Sequence, residues 1–237
     1  VLKGLVEDCP TDVQEAALRS LFQIGCAAWG RCCAVRILAE VGDSAMLPQI
    51  LASLTDDSDN VRLEAVRTFG KLGGSDAVKH LLRAAKKDRA DFVRAEAIRV
   101  LRSAGTVHPG IFEAGMRGLR DKSREVRAQA ARLLGIIHDD RSINPLLKAM
   151  ADPHWSVRES AENALLNYGQ NALRPLIEAL DSPSWTTRVR AARLLGEIGD
   201  VRGVAPLKKL LARKRERQRV RDVTESSLRK ILAKNTI

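Results

Sequence analysis

Residues 126–138 read VRAQAARLLGIIH, and the same pattern returns up and down the chain. Val126, Ala130, Leu134 and Ile137 fall at i, i+4, i+8 and i+11, the stripe of one helix face. Upstream stand VRAEAIRVLRSAG from Val93, VRLEAVRTFGKLG from Val61, GRCCAVRILAEVG from Gly30 and VQEAALRSLFQIG from Val13. Downstream stand VRESAENALLNYG from Val157, TRVRAARLLGEIG from Thr187 and a weaker VRDVTESSLRKIL from Val220. The starts fall at 13, 30, 61, 93, 126, 157, 187 and 220, and every step but the first is 30 to 33 residues. We designate these segments A helices. A small residue at the fifth position (Ala17, Ala34, Ala65, Ala97, Ala130, Ala161, Ala191) lets a neighbouring helix come close. Gly25, Gly42, Gly73, Gly105, Gly169 and Gly199 close six copies, where a left-handed residue ends a helix at little cost.

A second apolar segment, helix B, follows each of the six A helices that start between residues 30 and 187, as at Ile143 to Met150 and Leu173 to Leu180. Pro48, Pro145, Pro175 and Pro206 recur near its start, where a missing N–H is harmless. Units of about 31 residues that cannot bury their own apolar faces must stack on their neighbours. The pattern D-x-x-x-x-V-R-x-x-A-x-x-x-L-x-x-I-G followed by x-x-P-L-x-x-A-L resembles the short HEAT repeats of the phycobilin-lyase type. The expected fold is all-α: an α-solenoid, a superhelical stack of about seven to eight two-helix repeats forming a single array over residues 1–237.

Composition agrees. The 237 residues are 45% hydrophobic but only 3% aromatic, so the core is built from Leu, Ala, Val and Ile, which suits packed helices better than a β-sandwich. No apolar run reaches the ~20 residues that span a bilayer. Cys9, Cys26, Cys32 and Cys33 lack CxxC spacing and read as small buried hydrophobes in a reducing compartment, cytoplasm or nucleus. The chain opens at Val1 inside an apparent helix, so a larger parent protein is expected. One step is short: only 17 residues separate Val13 from Gly30, and about 14, a whole B helix, are missing between 25 and 29. Either that repeat is degenerate or a segment is absent from the sequence, and the intact A patterns on both sides favour the second.

Arg holds the second A position in seven of eight copies (Arg31, Arg62, Arg94, Arg127, Arg158, Arg188, Arg221), and Asp stands five before the first position in five (Asp8, Asp56, Asp88, Asp121, Asp152). An inter-repeat ladder in which Asp caps the next helix and Arg meets the neighbour's Asp is the structural reading. A row of arginines on phosphates is the functional alternative. It is the weaker because the resemblance places helix A on the outer, convex wall and helix B on the concave one.

Exposed B residues therefore point to partners, and they lean basic: Lys79, Arg83, Lys86, Lys87, Arg117, Arg120, Lys148, Arg174, Lys208 and Lys209 against Glu113 and Glu178. The strongest charge is KKLLARKRERQRVR at 208–221, with Arg213, Lys214, Arg215 and Arg217 among eight cations and one Glu, in a chain of formal net charge +11. Such a run serves as a solvated helix, an import patch or a dock for an acidic partner. Trp155 and Trp185 sit two residues before the first A position of adjacent copies, as packing over turns or as an aromatic ledge.

No catalytic constellation stands out. His80, His108, His138 and His154 are scattered, and no His-Glu pair of the HEAT-type hydroxylases, HExxH or phosphate loop occurs. No cofactor or metal is expected. The leading expectation is an intracellular scaffold, cytoskeletal or ciliary in setting, that binds an acidic protein surface or a tubulin-like tail. Nucleic-acid binding, including a HEAT-like alkylpurine DNA glycosylase with a basic groove and Trp beside the lesion, is the alternative.

Overall fold

The computed structural model describes residues 28–41, 47–72, 75–103 and 108–235, and every regular element among them is helical. The A segment from Val13, the short link at 25–27, Cys9, Cys26, and the closing glycines Gly25, Gly42, Gly73 and Gly105 lie outside the described residues. Two compact units follow one another, Val1–His108 and Pro109–Ile237. The first holds α1 (Ala28–Val41), α2 (Leu47–Ser53), α3 (Asp59–Leu72), α4 (Ser75–Lys87) and α5 (Asp91–Ser103). The second holds α6 (Pro109–Gly118), α7 (Arg124–Ile137), α8 (Ile143–Ala149), α9 (Trp155–Tyr168), α10 (Leu173–Ala179), α11 (Trp185–Ile198), α12 (Val204–Leu211) and α13 (Gln218–Asn235). Odd-numbered helices carry the A pattern and even-numbered ones the B pattern. No helix of the described residues is long and apolar enough to cross a membrane.

The A stripe packs inward. Ala34, Ala65, Ala97, Ala130, Ala161 and Ala191, all at the fifth position, are 0% exposed. Within each unit, successive A helices lie against one another and each B helix packs on the A helix after it. Glycine at the tenth A position allows the closest approaches. A Cβ on Gly70 would meet Val100 Cγ1 at 2.5 Å, and one on Gly135 would meet Ala164 Cα and Cβ at 2.7 Å. Helix ends follow the same economy: Gly199 closes α11 at φ 78°, and where the A pattern lacks its glycine, His138 takes the left-handed position at φ 57°.

The Arg–Asp register forms a ladder with a fixed design. Arg62 Nη1 donates to the Asp56 and Asp57 carbonyls (2.8 and 3.3 Å), while Nε and Nη2 grip Asp88 at 2.8 and 2.9 Å. Arg127 repeats this with the Asp121 and Lys122 carbonyls (2.8 and 3.0 Å) and Asp152 (2.7 and 3.0 Å). Arg31 pairs with Asp56 at 2.8 Å, and Arg188 takes Glu216 at 2.7 Å. Each ladder Asp also caps its own turn, as Asp152 does by accepting the His154 N–H at 2.9 Å. Burial alone would push the Asp152 carboxyl up, but the Arg127 and His154 hydrogen bonds outweigh it and hold the group below the usual carboxylate range. These arginines are spent on structure.

Candidate functional site

The ladder occupies the A side, and the B helices carry a second set of cations. On α4, Lys79, Arg83, Lys86 and Lys87 are exposed, and spacings of four, seven and eight residues put them on one stripe. A shallow groove between α2 and α4 has Leu51, Leu54 and Ala84 in its floor and Arg83 and Lys87 at its rim. His80 belongs to this groove too, but its ring stacks on Phe69 at 5.9 Å, a packing role.

In the second unit the motif recurs twice. Between α6 and α8 the groove is lined by Met116, Leu119, Pro145 and Ala149, with Arg120 and Lys148 beside Asp152. Between α10 and α12 it is lined by Ile177, Leu180 and Pro206, with Lys209 and Arg213 beside Asp181. Each groove thus has an aliphatic floor and a cationic rim. Arg117, Lys148 and Lys209 fall at matching positions along the array and are exposed. The intervening match is Glu178, which pairs with Arg174 at 3.1 Å, so the row of positive charge is interrupted at α10.

The C-terminal basic run sorts into two groups. Lys208, Lys209, Lys214, Arg215, Arg217 and Arg219 are exposed. Arg213 instead donates to the Leu180 carbonyl at 3.1 Å and pairs with Asp181, and Arg221 donates to the Leu211 and Arg213 carbonyls. Two of the eight cations are therefore ties between the turn and its neighbours. The tryptophans differ as well. Trp155 is 68% exposed at the start of α9, whereas Trp185 is half-buried under the Arg217 guanidinium, 5.0 Å from its ring centroid. Both stand at A-helix starts, apart from the B grooves.

Several structural groups escaped the sequence pattern. The Tyr168 hydroxyl donates toward the Leu134 and Asp139 carbonyls, both at 3.0 Å, and shares a 2.6 Å hydrogen bond with Ser142. Glu162, mostly buried, pairs with Arg190 at 2.7 Å and with Arg193. Arg141 lies 4.3 Å over the Phe112 ring. Among the described residues, no group of three or more His, Cys, Asp and Glu could hold a metal ion. In the second unit the two aliphatic floors with cationic rims lie two repeats apart.

A family model described as HEAT repeats matches residues 27–102, 104–166 and 164–229. No curated protein matches the sequence significantly. Among solved structures, the YibA protein of Escherichia coli is 18% identical with a TM-score of 0.57, over 98% of this chain and 95% of that one. Human deoxyhypusine hydroxylase in complex with glycerol is 22% identical with a TM-score of 0.46, covering 93% and 87%. The CpcE–CpcF complex of phycocyanin lyase from Nostoc sp. is 19% identical with a TM-score of 0.49, covering 89% and 92%.

Proposed function

Because the chain belongs to the HEAT-repeat family, we propose that it is a non-enzymatic scaffold whose B-helix surface and basic C-terminal run bind an extended acidic segment of a protein partner. The observation that carries this reading is the recurrence of one groove design, with an aliphatic floor and a Lys or Arg rim, between α2 and α4, α6 and α8, and α10 and α12. A side chain offered at every second repeat by an extended peptide suits that spacing. In arrays of this family the B helices line the concave wall, which favours a long, thin ligand over a globular one. The exposed cations Lys208, Lys209, Lys214 and Arg215 add long-range attraction for an acidic segment. Acidic tails of the tubulin type belong to this chemical class and make a cytoskeletal or ciliary host a fitting one.

The test is a binding titration of a labelled glutamate-rich peptide and a labelled DNA duplex against the folded protein. Reversal of Lys208, Lys209, Lys214 and Arg215 to Glu should weaken the peptide about tenfold or more, and Lys148→Glu should weaken it less. Arg213 stays untouched because it ties the α12–α13 turn to the α10–α11 turn. Unchanged peptide affinity after reversal defeats the proposal. Duplex binding that outcompetes the peptide, with log K falling by about 0.9 per phosphate as log salt rises, would replace it with nucleic-acid recognition.

A further inference from the structure

The ladder has one rung built differently from the others described within the two units. Arg158 is clamped like its counterparts, its Nη1 donating to the Asp152 and Pro153 carbonyls at 2.8 Å each. In Arg62 and Arg127 that same clamp presents Nε and Nη2 to a carboxylate of the next repeat, and in Arg188 it presents them to Glu216. For Arg158 the residue in the carboxylate position, five before the first A position of α11, is Ser182. Among the described residues no carboxylate meets Arg158.

Ser182 nevertheless keeps half of the aspartate's work. Its Oγ accepts the Ser184 N–H at 3.3 Å, as an Asp152 oxygen accepts the His154 N–H at 2.9 Å. Its own N–H donates to the Ala179 carbonyl at 3.2 Å, so the turn is formed as in the other repeats. The hydroxyl oxygen thus stands where the ladder's capping oxygen stands, and what it lacks is an anionic group reaching across to the guanidinium. The residue after it is Pro183, and Asp181 and Pro183 on either side are exposed while Ser182 is half-buried. Serine followed directly by proline is the dipeptide that proline-directed kinases act on.

We propose that Ser182 is a phosphorylation site whose phosphate completes the rung to Arg158. A proline-directed serine/threonine kinase with a magnesium-bound nucleoside triphosphate supplies the group. The Ser182 Oγ attacks the terminal phosphorus and an Oγ–P bond forms. The bond from that phosphorus to the bridging oxygen breaks, the nucleoside diphosphate leaves, and the hydroxyl proton passes to the kinase's base. The product carries three acceptor oxygens and nearly two negative charges, a match for the two-pronged guanidinium edge. Phosphorylation would then tighten the joint between the α9–α10 and α11–α12 repeats without altering the B-helix grooves.

The experiment compares the full chain with phosphoserine installed at position 182 by codon reassignment against the unmodified chain, by calorimetry. The melting temperature should rise by about 2–4 °C, and Arg158→Ala should remove the rise. Arg158→Lys, which keeps the charge but not the fork, should retain less than half of it and serves if the alanine variant does not fold. No rise, or an equal rise in both Arg158 variants, overturns the rung. A proline-directed kinase with Mg-ATP should add one phosphate to the folded chain, read by intact mass and lost in Ser182→Ala; no incorporation overturns the site. Stabilisation of the unmodified chain by inorganic phosphate that Arg158→Ala abolishes would mean a free-anion site and overturns the modification.

Discussion

The two joints on either side of α9 are built from the same repeat and held in different ways. Toward α7, Gly135 admits Ala164 at a distance no Cβ could share, Arg127 grips Asp152, and Tyr168 ties α9 to the Leu134 and Asp139 carbonyls. Toward α11, the residue matching Gly135 is Leu166, the residue matching Asp152 is Ser182, and the residue matching Tyr168 is Ile198. The register sets Leu166 opposite the buried Leu194, and two leucines hold helices further apart than a glycine and an alanine do. Accordingly α9 packs closely on α7 and much more sparsely on α11. Glu162 supplies the second joint with its own tie, to Arg190 and Arg193. The array is therefore uniform in pattern and uneven in cohesion, and three residues per joint decide which kind it is.

The largest effect should come from making the first joint resemble the second. Gly135→Leu forces a branched side chain into the Ala164 backbone, where even a Cβ would lie at 2.7 Å. Overpacking of this kind costs about 3 kcal/mol, which lowers the melting temperature by roughly 6–12 °C. Leu166→Ala, which trims the half-buried partner position, should cost about 1 kcal/mol. Equal losses in thermal melts of the two variants would break the claim that the tenth A position sets the closeness of the joint.

Next come the rungs. Asp152→Asn leaves the mostly buried Arg127 without its anion and should cost about 2 kcal/mol at neutral pH. Ser182→Ala, where no charge pairs, should stay within about 0.5 kcal/mol. The acid side gives the sign. The Asp152 carboxyl is held below its usual range in the folded state: burial pushes it up, and the Arg127 hydrogen bond more than compensates with help from the His154 N–H. Its contribution is thus complete above the ordinary carboxyl pKa of about 4 and lost as pH falls through the lower folded value. Denaturant midpoints of wild type and Asp152→Asn should converge below about pH 3. A gap that persists there would mean that the loss is steric rather than electrostatic.

Much of this was legible because it repeats. The A stripe, the buried alanines and the Arg–Asp rungs each recur at a fixed offset, so one copy explains the next. What recurs once leaves no such trace. The Tyr168 hydroxyl reaches Leu134, 34 residues back, and Glu162 reaches Arg193, 31 residues on. For the candidate surface, the exposed cations on α4, α6, α8 and α12 could be read from helix periodicity. Arg213 and Arg221 could not be separated from their neighbours, because their carbonyl partners depend on how the α12–α13 turn closes. The aliphatic floors of the grooves were also hidden, since they arise only where two B helices meet.

The smallest of the three effects is the most specific. Tyr168 is the chain's single tyrosine, it is 5% exposed, and burial pushes its phenol pKa up, with the Ser142 hydrogen bond pulling the other way. Tyr168→Phe removes the contacts to the Leu134 and Asp139 carbonyls but leaves Ser142 Oγ donating to Asp139 O at 2.9 Å, so little is left unpaired. The cost should be about 1 kcal/mol. A raised phenol favours the protonated folded form, so its contribution is complete below the unfolded value of about 10 and declines as pH rises past it. Ultraviolet titration of one tyrosine reads the ionisation directly, and wild type should lose stability across that alkaline range faster than the Phe variant. Parallel losses in the two proteins would show that the hydroxyl does not hold α9 to α7, and the contrast between the joints would then rest on Gly135 and Asp152 alone.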